Sequence, residues 1–287
     1  MPLDSIAEIL ASCSERNLAF WQVVLEADVE ERQVSAEVSF EKMRATWRAM
    51  LDSAESYDGG LRSVSGLSGG DGELMRRYAA GGAALGGGYI SEVIATALCV
   101  GESNACMRKI VAAPTAGACG VLPAVLVPLY RRGEREEDIL RALYTAAGIG
   151  AVINSRASIS GAAGGCQAEI GSASAMAAGA LAQLRGGGPE QTANALAMAL
   201  KNLMGLICDP VAGLVEVPCV KRNVIGAVNA VSCADMALAG ITSRIPADEV
   251  IDCMGIVGER LPREFRETAR GGLAATPTGR AAWKQLK

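Results

Sequence analysis

Between Gln167 and Leu184 the chain carries almost no side-chain bulk, with Gly171, Ser172, Ala173, Ser174, Ala175, Ala177 and Ala178 in close succession. A helix built this way lets its neighbours approach to the short end of the usual interaxial range, so it suits the centre of a bundle. Rings are too rare to fill wider gaps: aromatics make up 4% of a chain that is half hydrophobic. A core of Ala, Val, Leu and Ile again points to closely packed helices. No alternating strand segment, internal repeat or low-complexity tract interrupts the pattern, and the expectation is an all-α fold. At 287 residues the chain suffices for one large domain or two modest ones. The expected division is an N-terminal helical segment over 1–60 and a larger helical domain over 61–287, or one continuous domain.

Taken in order, residues 1–57 read as helices. Phe20, Val23, Val24 and Ala27 make one apolar stripe, and Met43, Trp47, Met50 and Leu51 another. Ser35 is placed to cap a helix N-terminus, with Glu37 favoured in its first turn. The charged faces, such as Asp28 to Arg32, read as solvated surface. Glycine, serine and aspartate from Gly59 to Asp71 end the pattern. That stretch reads either as a linker or as a nest of amides and hydroxyls for a small carboxylate. It lacks the Gly-Lys-Ser/Thr ending of a nucleotide loop. Gly86 to Gly88 open a helix with Ile90, Val93, Ile94, Ala97 and Leu98 on one face. Pro114 and Gly117 force a turn ahead of the apolar run Val121–Tyr130, whose Pro123 suits a first helical turn. Thr115, with the free amides of that helix start, suits either anion binding or simple stabilisation. After the charged connection Arg131–Asp138, Ile139, Leu140, Leu143, Tyr144 and Ala147 share a helix face. Gly186–Gly188 followed by Pro189 separates the small-residue helix from the next. That helix is expected to carry Leu196, Leu200, Leu203, Met204 and Ile207 on one side and to deliver Cys208 at its end. A further helix is expected after Asn223, with Cys233 as ordinary core.

The net charge of −4 and pI near 5.2 speak against a general nucleic-acid binder. Met1 to Ser5 hold no basic segment leading into an apolar one, so no signal peptide is expected. The apolar runs near 173–184 and 224–241 are short or carry Asn229 and Asp235, and read as buried helices instead of membrane spans. Nine cysteines make an odd count with no spacing typical of a disulfide scaffold, which suits a reduced, cytoplasmic setting. Histidine is absent. That removes Ser–His and Cys–His nucleophile pairs, zinc sites built on histidine, and the commonest general base. An enzyme of this composition needs an unusual proton-transfer group, or one on another chain.

Three cysteines sit where glycine or proline breaks the helical pattern: Gly164-Gly165-Cys166-Gln167-Ala168-Glu169, Ile207-Cys208-Asp209-Pro210 and Val217-Pro218-Cys219-Val220-Lys221-Arg222-Asn223. Such backbones can turn side chains toward a common point, and three soft thiolates can hold an iron–sulfur cluster with one iron open. Their separations, 41 and 10 intervening residues (208 − 166 − 1 and 219 − 208 − 1), are not the short knuckles of a zinc site. Spacing alone leaves metal binding and plain packing both open.

The local sequences go further. Gly-Gly-Cys-Gln-Ala-Glu, the stretch from Cys208 to Asn223, Ala113-Pro114-Thr115-Ala116-Gly117 and Ser65-Gly66-Leu67-Ser68-Gly69-Gly70-Asp71 resemble the motifs of the iron–sulfur-dependent L-serine dehydratases. With the N-terminal helices included, the resemblance covers nearly the whole chain and is to the alpha chain of the two-subunit form. It implies a [4Fe–4S] cluster held by Cys166, Cys208 and Cys219 in loops at helix ends, within 61–287. It further implies dehydration of L-serine to pyruvate and ammonia without pyridoxal phosphate, in amino-acid degradation that supplies gluconeogenesis. Ser65, Ser68 and Thr115 are the implied substrate-binding residues. The family's proposed base is a histidine in the beta portion, so the resemblance implies a hetero-oligomer whose beta subunit brings it, with the catalytic residue unassigned in this chain. The C-terminal stretch has no cysteine of the kind that caps the open iron in some single-chain relatives. Cys119 stands where serine or alanine is more familiar and reads as packing. Three rivals remain at this level: an L-cysteine desulfidase-like lyase, a non-catalytic helical partner subunit, and a zinc-binding structural domain.

Overall fold

Ser5 opens the first helix, α1 (Ile6–Arg16), its hydroxyl accepting from the Glu8 amide at 3.1 Å. α2 (Phe20–Arg32) follows, and α3 (Ala36–Glu55) starts as the sequence predicts, with Ser35 Oγ accepting from the Val38 amide and Glu37 in the first turn. Phe20, Val23, Val24, Trp47 and Met50 are buried. The computed structural model describes residues 3–286; Met1, Pro2 and Lys287, which belong to the terminal stretches read above, lie outside the described residues.

The next helices are α4 (Asp71–Ala80), α5 (Gly87–Ala105), α6 (Val121–Arg131), α7 (Glu136–Arg156), the single turn α8 (Gly161–Gly164), α9 (Ser172–Leu184) and α10 (Pro189–Asn202). α11 (Cys219–Leu238), α12 (Ala247–Arg260) and α13 (Pro277–Gln285) complete the fold. The chain is all-α: among the described residues the sole β pairing is an isolated bridge between Cys208 and Arg266. No described helix is long and apolar enough to cross a membrane.

α9 is the small-residue helix, and Ser172 through Ala182 are buried in it. It packs against α6, α7, α10 and α11, and its lack of bulk lets them in. A Cβ at Gly179 would stand 2.2 Å from Ile149 Cδ1 of α7. α2 makes the same kind of approach to α7, where a Cβ at Gly148 would lie 2.3 Å from Val24 Cγ2.

Three details differ from the sequence expectation. Ala147 is exposed, because it borders an open cleft between α2 and α7 while Ala146, Gly148 and Ile149 turn inward. α10 stops at Asn202, since Gly205 adopts a left-handed φ of 86° that no helix continues through. Leu203, Met204 and Ile207 therefore lie in turns, and Cys208 arrives six residues beyond the helix. α11 begins at Cys219 itself, and Asn223 sits inside its first turns instead of preceding it. Cys233 is fully buried, as expected of core.

Candidate functional site

The Cys166 segment is shaped by Gly165, whose φ of 77° suits glycine and whose Cβ would fall 2.6 Å from Leu261 Cδ1. After it, Gln167–Gly171 forms a wide π-type turn leading into α9. Gln167 is fully buried and works as a staple: its amide nitrogen donates to Met254 O at 3.1 Å, and its Oε1 accepts from the Gly205 amide at 2.8 Å. Its backbone N–H donates to Leu206 O at 2.9 Å, joining the Cys166 turn to the segment carrying Cys208. Cys208 is gripped on both sides, donating to Phe265 O at 2.8 Å and accepting from the Glu267 amide at 2.9 Å. Cys219 opens α11, and Asn223 one turn on donates to Cys219 O and Gly117 O while accepting from the Gly120 amide. That side chain ties the Cys219 turn to the Pro114–Gly117 turn.

Cys166, Cys208 and Cys219 are all buried, and their thiols lie close enough to disfavour one another's ionisation. Burial pushes the Cys166 thiol up to about 11, opposed by the Arg222 guanidinium. Burial, then Cys166 and Glu169, push Cys219 to about 12. Cys208 is raised by burial and then by Cys166, with Cys219 adding to it. Buried thiols such as these ionise when cationic charge is supplied, as a metal centre does. Among the described residues, no three His, Cys, Asp or Glu side chains stand close enough to ligate one metal ion. Buried thiols on three segments are a donor type that thiolate-bound metal groups use.

Carboxylates surround these sulfurs. A Cβ at Gly161 would lie 3.0 Å from Cys208 Sγ, 3.1 Å from Glu169 Oε2 and 3.4 Å from Glu267 Oε2, so the absent side chain keeps that space open. Thr115 Oγ1 donates to Glu169 Oε1 at 2.6 Å, and burial raises the Glu169 carboxyl above the usual range. Ser63 and Ser65 hydroxyls donate to Glu216 Oε2 at 2.6 and 2.7 Å. Ser68 is buried, and its backbone closes the loop, its carbonyl accepting from the Ser63 amide and its N–H donating to Ser63 Oγ. The expected carboxylate nest is taken by the chain itself. Glu102, fully buried, accepts from the Asp71 and Gly72 amides at 2.8 and 3.1 Å and from the Tyr57 hydroxyl at 2.5 Å. Of the three expected substrate residues, Ser65 holds the buried Glu216, Thr115 the half-buried Glu169, and Ser68 its own loop.

Thr115→Val removes a hydroxyl from a carboxylate largely cut off from water, and is expected to cost about 1–3 kcal/mol of stability near pH 7. Because the folded carboxyl titrates above its unfolded value, the folded chain keeps a proton that the unfolded chain releases. Stability from this group is therefore lost as pH rises through that window, and losing Thr115 steepens the loss. Thermal melts of both proteins at about pH 4 and about pH 7 check it: the deficit of the variant should be larger at the higher pH, and an equal deficit sinks the assignment.

Sequence reasoning missed Glu169, Glu216 and Arg222 although all three stand inside the quoted motifs. A charged residue signals function when its burial and partner are known, and Glu216 is 151 positions from Ser65.

The chain is similar to known proteins over most of its length. Residues 15–274 match the sequence family described as "Serine dehydratase alpha chain". Over 283 residues it is 46% identical to the probable L-serine dehydratase, alpha chain, of Bacillus subtilis, covering 98% of this chain and 94% of that one. The L-serine dehydratase, alpha chain, of Peptoniphilus asaccharolyticus is 41% identical over 283 residues, with 96% of each covered. The L-serine dehydratase TdcG of Escherichia coli is 48% identical over 181 residues, which make up 62% of this chain and 40% of that protein.

Proposed function

This chain belongs to the serine dehydratase alpha chain family, and from that membership we propose that it is the cluster-bearing subunit of an L-serine dehydratase. The reaction is L-serine to pyruvate and ammonia: the α-proton and the β-hydroxyl leave as water, and the resulting enamine tautomerises and hydrolyses. The observation that supports this reading is that Cys166, Cys208 and Cys219, on three separate segments, are each buried, with Cys166 disfavouring ionisation of both other thiols. These three would hold a [4Fe–4S] cluster. When bound, that group supplies a Lewis acid for the departing hydroxyl, worth several kcal/mol of transition-state stabilisation.

The chain's own residues do the rest. Gly161 leaves room beside Cys208 and Glu169. Glu169, its carboxyl raised above the usual range by burial and oriented by Thr115, lies next to that space. Glu216, three residues before Cys219, is braced by Ser63 and Ser65. With no histidine present, the group that removes the α-proton belongs to a separate beta chain, consistent with the relatives named alpha chains. The site residues fall within 61–287, with 1–60 as an N-terminal helical segment. All nine cysteines are free, which supports a reducing, cytoplasmic setting.

The substrate test compares pyruvate formation from L-serine and L-cysteine by the chain with its partner. L-serine should give a kcat/KM at least about tenfold higher. The reverse order would reassign the protein to sulfide release.

A further inference from the structure

Arg222 joins two of the cysteine-bearing segments, and its charge acts on the third. It lies one helical turn after Cys219 on α11, with its side chain 15% exposed. Nη1 donates to Ile207 O at 2.8 Å and Nη2 to Asp209 Oδ1 at 2.8 Å, and these two residues bracket Cys208. The guanidinium charge also opposes the upward shift that burial gives the Cys166 thiol. Its anchor is firm, since the Asp209 side chain is 3% exposed and its Oδ2 accepts from the Leu273 amide at 2.7 Å. The other charged groups facing the sulfurs, Glu169 and Glu267, are acidic.

A buried ion pair is weak evidence for stability, because desolvation offsets much of the attraction and an apolar pair often packs as well. What an apolar pair lacks is a planar fork able to reach several acceptors at once, and a charge that does not titrate. We propose that Arg222 is a positioning residue: it clamps the Cys208 segment to the start of the Cys219 helix and offsets the negative charge of the cysteine thiolates around the bound cluster. The inference rests on the cluster reading above and deepens it.

Wild type, Arg222→Gln and Arg222→Lys, each purified anaerobically, are compared for iron and sulfide content, for the rate of iron loss to a chelator, and for midpoint potential. Arg222→Gln should lose iron about 10–100-fold faster, the usual effect of removing an outer-shell partner. Its potential should fall, because reduction adds an electron that the nearby cation stabilises. Arg222→Lys keeps the charge, so its potential should stay near that of wild type. A compact ammonium cannot span both acceptors, so its iron loss should still be faster. Should the glutamine variant fail to fold, the lysine variant decides by its loss rate. Wild-type loss rates and potential in the variants overturn the clamp and leave Arg222 a plain partner of Asp209. A wild-type chain without iron and sulfide overturns the cluster reading itself, and the clamp with it.

Discussion

Cys208→Ser should lower kcat/KM for L-serine by about a thousandfold or more, while the corresponding change at Cys233 should leave it within about twofold. The magnitude follows from the chemistry. Hydroxide is a poor leaving group, and an open iron acting as a Lewis acid supplies several kcal/mol, each 1.36 kcal/mol being tenfold in rate. A helix terminus supplies only about 0.3–1 kcal/mol and cannot replace it. Serine offers a hard hydroxyl where the cluster needs a soft thiolate. Cys233 provides the control, because it is equally buried but has Asn202 and Asn229 as its polar partners. Folding of both variants is checked by thermal melting. Near-normal turnover in a folded Cys208→Ser chain would remove the cluster from the mechanism, and equal losses at the two positions would make the effect structural.

The second large effect is expected from the chain alone. Rebuilt with its cluster but without a partner, it should turn over L-serine about 10²–10⁴-fold more slowly than the pair, the usual contribution of a positioned general base. The reason is compositional: no histidine exists in the chain, and the acidic groups nearest the sulfurs are Glu169 and Glu267. Adding the beta chain should restore the rate. Full turnover by the lone chain would place the base here, and Glu169, with its raised carboxyl and its position beside Gly161, would be the first residue to substitute.

Helices were readable where their signals are local. Ser35 with Glu37, the small residues of α9, and the glycines and Pro189 after it all act within a turn or two of chain. Boundaries failed where a local signal was misleading. The apolar period through Leu203, Met204 and Ile207 runs on past Gly205, whose left-handed backbone ends the helix. Asn223 looks like a helix start, yet its amide points inward to bridge Cys219, Gly117 and Gly120. Where the glycine-rich loop enters α4, the Asp71 and Gly72 amides bond Glu102, a buried residue in the last turn of α5 that the sequence pattern does not single out. Within the candidate site, the three cysteines stand out in the sequence because glycine and proline break the helical pattern around them. The glutamates and Arg222 acquire meaning through partners far along the chain, which no window of sequence displays.

Anaerobic purification followed by iron and sulfide analysis, with a visible absorption spectrum of the same sample, tests the central claim most directly. The account predicts a brown protein with about four irons and four sulfides per chain, lost on changing Cys166, Cys208 or Cys219 to serine. A colourless, correctly folded wild-type chain that carries zinc or no metal would contradict it.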